Sequence, residues 1–162
     1  MTLTSAQAVP QTPDQIFADL HGAAVEAAGA RLFTVTVQDA AAGVVRRAYT
    51  SHPQDYPVSG TKPLQADRWS AQVLGRGEPF VANDTAGFSD VFPDYAQINA
   101  LGCQSVINLP VLQDGVVMGT VNILDVAGHF TPDRITLLVA LMEERHDLIV
   151  AAMTATPMGE GV

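Results

Sequence analysis

The stretch LGCQSVINLPVLQDGVVMGTVNIL, Leu101 to Leu124, decides the fold. Cys103 to Val111 and Val116 to Val126 are rich in β-branched residues and read as two strands. Asp114-Gly115 between them is a hairpin signal, because a two-residue turn of type I′ needs positive φ at both central residues. A tight turn pairs the strands so that Ser105, Ile107 and Leu109 share a face with Thr120, Asn122 and Leu124. Val106, Gly119, Val121 and Ile123 then form the opposite face. The first set mixes hydroxyl, amide and apolar groups, as ligand pockets do, whereas the second suits helix packing. A one-residue bulge would swap part of this assignment. Gly119 carries no side chain, which lets a helix or a ligand lie close to the sheet.

Outward from the hairpin, Thr131-Pro132-Asp133 starts a final helix: N-cap, N1 proline and an acid in the first turn. Its periodicity predicts one helix to about Met153. At the other end, Thr12-Pro13-Asp14-Gln15 is a capping box, and Ile16, Leu20, Ala24 and Ala27 follow at helical spacing up to Gly29. Leu32–Val37 and Val44–Thr50 read as a second hairpin. The proline-rich span Ser51–Pro63 is a loop long enough to suggest function. A short helix over Ala66–Gly75, a short strand at Pro79–Val81 and a short helix over Pro93–Leu101 complete the order. Hairpin connections imply a mainly antiparallel sheet, with the long terminal helices on one face, in an α+β domain. Residues 1–11 are expected to be a flexible lead-in, 12–153 the single domain and 154–162 a disordered tail.

A net charge of −9 on 162 residues argues against a nucleic-acid backbone as partner. No apolar run approaches the ~20 residues that cross a bilayer, and the N-terminus lacks a secretion pattern, so a cytoplasmic protein with no membrane partner is expected. Charge is uneven: Arg46, Arg47, Lys62, Arg68 and Arg76 face only Asp55 and Asp67 within that span, a local +3. Such a basic island is either an anion site or a solvated face. One cysteine excludes an internal disulfide, and the four histidines lack metal-ligand spacing, so no metal or other cofactor is expected.

The hairpin, its Asp-Gly turn, the glycine-bearing second strand and the capped helix after Phe130 together resemble the C-terminal half of the GAF family of small sensor domains; the resemblance spans roughly Pro13 to Met153. It implies a GAF-like, six-stranded, mainly antiparallel sheet, terminal helices on one face, and a pocket roofed by loops and short helices on the other. Family members bind cyclic nucleotides, tetrapyrroles, haem or small metabolites, and some only dimerise. The marks of particular branches are missing. Asn83 and Phe88 stand without the lysine and acidic pair of cyclic-nucleotide binders. Cys103 precedes Gln104 rather than the histidine of bilin binders. A single cysteine cannot relay a disulfide as free methionine sulfoxide reductases do. No kinase, phosphatase or DNA-binding pattern follows, which implies a stand-alone domain.

The candidate ligand-binding residues are Tyr49, Lys62, Trp69, Phe88, Tyr95, Cys103, Ser105, Ile107, Thr120 and Asn122. Trp69 is either a pocket wall that stacks on a flat ligand or a core plug. Lys62, the only lysine, sits where a loop fixed by Gly60 and Pro63 would present it to a carboxylate or phosphate. Phe88 and Tyr95 suit a lid. Cys103 is the weak catalytic candidate, though no base adjoins it in sequence. His146 interrupts an apolar helical stripe. Leu137, Leu141 and Leu148 make a second stripe on the last helix, which implies a homodimer through the first and last helices. Three functions stay open: a non-catalytic sensor of a small, anionic metabolite; a small-metabolite enzyme using Cys103 or Tyr95; and a dimerisation module without a ligand.

Overall fold

The computed structural model describes residues 11–158. Six strands, β1 (Leu32–Asp39), β2 (Val44–Thr50), β3 (Lys62–Pro63), β4 (Phe80–Ala82), β5 (Ser105–Gln113) and β6 (Val116–Asp125), form one sheet in the order β3-β2-β1-β6-β5-β4. Every pairing is antiparallel. The helices are α1 (Pro13–Ala28), α2 (Arg68–Ser70), α3 (Tyr95–Ala100), α4 (Pro132–Glu144) and α5 (His146–Ala155). α2 opens directly into a π-turn over Ala71–Gly75. The two-residue β3 lies inside the span read from sequence as loop, because a strand so short carries no periodicity.

Helix α1 begins at the expected capping box: Thr12 Oγ1 accepts from Gln15 N at 3.2 Å, and Gln15 Oε1 accepts from Thr12 N at 2.9 Å. Its buried stripe is Ile16, Phe17, Leu20 and Ala24. α4 begins at Thr131 with proline behind the cap. The expected single C-terminal helix is two, broken at Arg145, whose φ of −105° and ψ of 12° leave the helical basin. His146, just after the break, brings Nε2 within 2.5 Å of the Leu112 carbonyl at the end of β5. That bond and the neighbouring Asp147 carboxylate raise the affinity of His146 for its proton. α5 then continues to Ala155, past the expected end at Met153. Beyond it, Arg46 donates to the Pro157 carbonyl and Met158 packs against the core. The lead-in expectation for residues 1–10 and the tail beyond Met158 lie outside the described residues.

Two cores flank the sheet. On one face α1, α4 and α5 cover Phe33, Val35, Ile107, Leu109, Val121 and Ile123. On the other, Val73, Phe80, Phe88, Val91, Ile98 and Cys103 pack beside Leu32, Val106 and Leu124. The hairpin turn is the tight one expected, with Gln113 opposite Val116 and positive φ at Asp114 and Gly115. The register then shifts by one: Leu112 pairs with Val117 but Val111 pairs with Gly119, which leaves Met118 as the extra residue of a bulge. Beyond the bulge Asn108 lies opposite Asn122 and Ile107 opposite Ile123. The face holding Thr120, Asn122 and Leu124 therefore takes Val106 and Asn108 from β5, and the expected Ile107 and Leu109 go to the helices.

Gly119 sits where β6 meets β1 and α5. A Cβ there would lie 2.2 Å from the Thr36 carbonyl oxygen and 3.1 Å from Met153 Sδ. The nearer atom is backbone and cannot swing away. Gly119→Ala should therefore destabilise the fold by about 1–3 kcal/mol, the usual cost of overpacking, read as a lower urea midpoint at unchanged slope.

Candidate functional site

A second bulge, with Ala48 of β2 as the extra residue opposite Val35 and Thr36, sets the β1–β2 register. Thr36 lies opposite Arg47, and Val35 opposite Tyr49. Thr34, Thr36 and Arg47 therefore lie on the face away from the long helices, while Tyr49 turns toward them. There Tyr49 packs on Phe17, His21 and Phe33 with ring centroids 5.9–6.2 Å apart.

The face away from the helices encloses a cavity of about 150 Å³. Its floor is polar. Of the five buried polar side chains among the described residues, Thr34, Asn108, Thr120 and Asn122 line it, and only Ser105 does not. Burying amides and hydroxyls costs free energy unless they find partners, and here Thr34, Asn108 and Asn122 find them in one chain of bonds. Trp69 Nε1 donates to Asn108 Oδ1 at 2.9 Å, and Asn108 Nδ2 donates to Asn122 Oδ1 at 2.7 Å. Asn122 Nδ2 donates to the Thr34 and Thr36 hydroxyls at 3.1 and 3.0 Å. This amide ladder crosses β5, β6 and β1 and ties the roof helix α2 to the floor.

The roof comes from three segments. Trp69 and Phe92 meet edge to face at 6.2 Å, and Ile98 of α3 closes one side. At another side the Arg47 guanidinium lies 3.7 Å above the Tyr56 ring, and the Tyr56 hydroxyl donates to the Asp94 carboxylate. Burial, with Asp94 adding to it, pushes the Tyr56 phenol well above its ordinary range, so it stays a donor at all working pH values. A second recess of about 270 Å³ adjoins the first and shares Thr36, Trp69, Phe92 and Thr120 with it. Lys62 and Gln38 line this outer recess. Gln38 Nε2 donates to the Val117 carbonyl at 2.9 Å, but its buried Oε1 has no partner.

Of the residues singled out from sequence, Trp69, Thr120 and Asn122 line the inner cavity and Lys62 the outer recess. The others lie elsewhere. Tyr49 and Ile107 face the helices because of the two bulges. Ser105 is spent at the strand end, its hydroxyl 2.7 Å from the Val126 carbonyl and 3.1 Å from that of Asp125. Phe88 is fully buried against Phe92, with centroids 5.5 Å apart, and fills core rather than cavity. Tyr95 is 41% exposed and lines neither space. Cys103 is fully buried in the core beneath α3, and burial, with Asp125 nearby, pushes its thiol up to about 11. The basic island does not converge either: Arg68 pairs with Asp90 at 2.7 Å and Arg76 with Glu78 at 3.1 Å, both in the open.

Sequence reasoning did not single out Thr34, Thr36, Tyr56, Asp94 or Asn108, and it noted Arg47 only as a member of the basic island. Asn108 in an otherwise apolar strand was the available signal, since a buried amide needs a partner across the sheet. Among the described residues no cluster of His, Cys, Asp and Glu could hold a metal ion. A larger open groove of about 910 Å³ runs between the α4–α5 break and the end of β5, and it contains none of the candidates.

An antiparallel six-stranded sheet with helices on one face and a loop-roofed, polar-floored cavity on the other defines a small sensor-type α+β domain. The sequence model of the GAF domain matches residues 10–144, and the chain belongs to that family. Solved structures agree on the fold. The GAF domain/HD domain protein of Geobacter sulfurreducens aligns at a TM-score of 0.70 and 14% identity, covering 91% of this chain and 97% of that one. The GAF domain of a two-component sensor histidine kinase from Bacillus halodurans gives 0.66 at 12% identity, over 86% and 91%. The GAF domain of a phosphoenolpyruvate-protein phosphotransferase from Coxiella burnetii gives 0.65 at 17%, over 93% and 86%. No curated protein matches the chain in sequence.

A thiol raised to about 11 and shielded from solvent is a poor nucleophile at neutral pH. At pH 8 a thiol reagent should label Cys103 in the native protein at least about 100-fold more slowly than in the urea-unfolded chain, given two decades less thiolate before shielding is counted. Equal rates, measured by mass spectrometry of quenched samples, would show that the thiol is open.

Proposed function

We propose that this GAF domain is a non-catalytic, homodimeric sensor of a small organic molecule bound on the amide ladder. The observation that carries this reading is the convergence of four buried polar side chains on one cavity walled by Trp69, Phe92 and Tyr56. Convergent polar groups within an aromatic wall are what ligand sites present. The volume bounds the ligand. At about 150 Å³ the inner cavity is small, and a single small metabolite suits it. The enzyme alternative weakens on geometry, because neither Cys103 nor Tyr95 borders the cavity.

Trp69 is the only tryptophan, so its fluorescence reports on this site alone. Gently purified protein should carry a small molecule visible by native mass spectrometry, and its removal should change Trp69 emission. Absence of any bound mass, with no emission response to a broad metabolite panel, would favour the ligand-free interaction module instead.

The homodimer reading rests on exposed apolar side chains of the terminal helices. Leu137 is 49% exposed, Leu148 41% and Val25 46%. Ala18, Gly22 and Val25 share the open face of α1, where small residues permit close approach. Leu141, expected to join the exposed stripe, is instead partly buried against the core, so Leu137 and Leu148 are the positions to change. In analytical ultracentrifugation the unmodified chain should sediment as a dimer at micromolar concentration. Leu137→Glu with Leu148→Glu should give a folded monomer, since each buried leucine contributes roughly 1.5 kcal/mol or more before the cost of association.

A further inference from the structure

Two opposite charges line the inner cavity without neutralising each other. Arg47 enters from β2 and Asp94 from the turn before α3, and both are half-buried. Tyr56 stands between them: its ring carries the guanidinium 3.7 Å away on one side, and its hydroxyl holds the carboxylate. Arg47 also donates to the Pro57 carbonyl at 2.8 Å, which fixes its direction. Among the described residues neither group forms an ion pair, with the other or with any third charge. Each keeps hydrogen-bonding capacity beyond these contacts, since a guanidinium carries five donors and a carboxylate about four acceptor sites. The remaining wall is apolar, made by Ile98, Val106 and Leu124.

We infer that the inner cavity binds a free amino acid with a small aliphatic side chain, its carboxylate on Arg47 and its ammonium on Asp94. This rests on the sensor reading of the same cavity and specifies its ligand. A zwitterion answers both charges at once, whereas a simple anion leaves Asp94 repelling it and a simple amine leaves Arg47 unmet. The inner cavity is small, about 150 Å³, which suits a small side chain better than a large one. The amide ladder has no net charge, so specificity for charge falls on Arg47 and Asp94. A site built to meet a group rejects the analogue that lacks it, because its own buried partner is then left unpaired.

The test is titration of the full chain by calorimetry and by Trp69 fluorescence. Valine and leucine are each compared with the acid lacking the amino group (3-methylbutanoate, 4-methylpentanoate) and the amine lacking the carboxylate (isobutylamine, isopentylamine). One amino acid should bind at least about 10-fold more tightly than either of its analogues, a comparison that needs no variant. Arg47→Gln and Asp94→Asn should each weaken it about 10-fold or more, and Asp94→Asn should bring the acid analogue level with the amino acid. Circular dichroism checks that each variant is folded; if either is not, the comparison of analogues on the unmodified chain decides alone. Equal binding of acid and amino acid, or no binding of any amino acid tested, overturns the zwitterion. If a different molecule then shifts Trp69 emission or co-purifies, the sensor reading survives without it. If none does, both fall.

Discussion

The register of the β5–β6 hairpin is the constraint on which the rest of the domain depends. Side chains alternate across a strand with a period of two, so one residue of slip exchanges every face. The tight Asp114-Gly115 turn sets one pairing, and the extra residue at Met118 resets it before the strands reach the centre of the sheet. Only after that shift do Asn108 and Asn122 face each other, and only then do Ile107, Leu109, Val121 and Ile123 present one apolar surface to α1, α4 and α5. Without the bulge, an amide would sit under the helices and an isoleucine in the cavity floor. Gly119 belongs to the same device, since its bare backbone lets β6 pass close to β1 and to Met153.

That register produces a domain with two unlike sides. The helix side is held by area: large apolar side chains with almost no exposure. The cavity side is held by a chain of side-chain hydrogen bonds running from Trp69 through Asn108 and Asn122 to Thr34 and Thr36. Such a chain is stable only while every member is satisfied, so it forms a defined floor rather than an adaptable one. The roof is tied by side-chain contacts between separate segments, among them Tyr56 to Asp94, Gln97 to the Asp55 carbonyl and Arg68 to Asp90. Isolated contacts of this kind, the exposed Arg68–Asp90 pair above all, are worth less than strand ladders. The site is thus firm below and lighter above.

Much of this was legible in the chain. The helix caps, the Asp-Gly turn, the strand-rich hairpins and the glycine of β6 carry strong local signals, because each reflects backbone geometry that few residues satisfy. They were enough to place the antiparallel sheet, the terminal helices, and Trp69, Thr120 and Asn122 on the cavity side. The break at Arg145 was not legible, because neither proline nor glycine marks it. Nor were the two bulges. A bulge is decided by how two strands fit a third element, and their residues, Ala48 and Met118, are ordinary strand or helix residues.

The site residues divide along the same line. Sequence by itself determined the class of fold, the two-sidedness of the central hairpin and the lack of any cysteine pair, since these follow from local propensity, period and composition. Tertiary structure decided which side chains meet. Arg47 faces the cavity and Tyr49 does not because the bulge between Val35 and Thr36 turns them apart. Tyr56 and Asp94, 38 residues apart, touch only because two loops fold over the same sheet face. Cys103 is buried by a core drawn from β1, β4, β5, β6 and the roof segments around Val73, Phe88 and Ile98. Contacts between distant residues depend on register and on packing against a third element, and neither leaves a local trace in the chain.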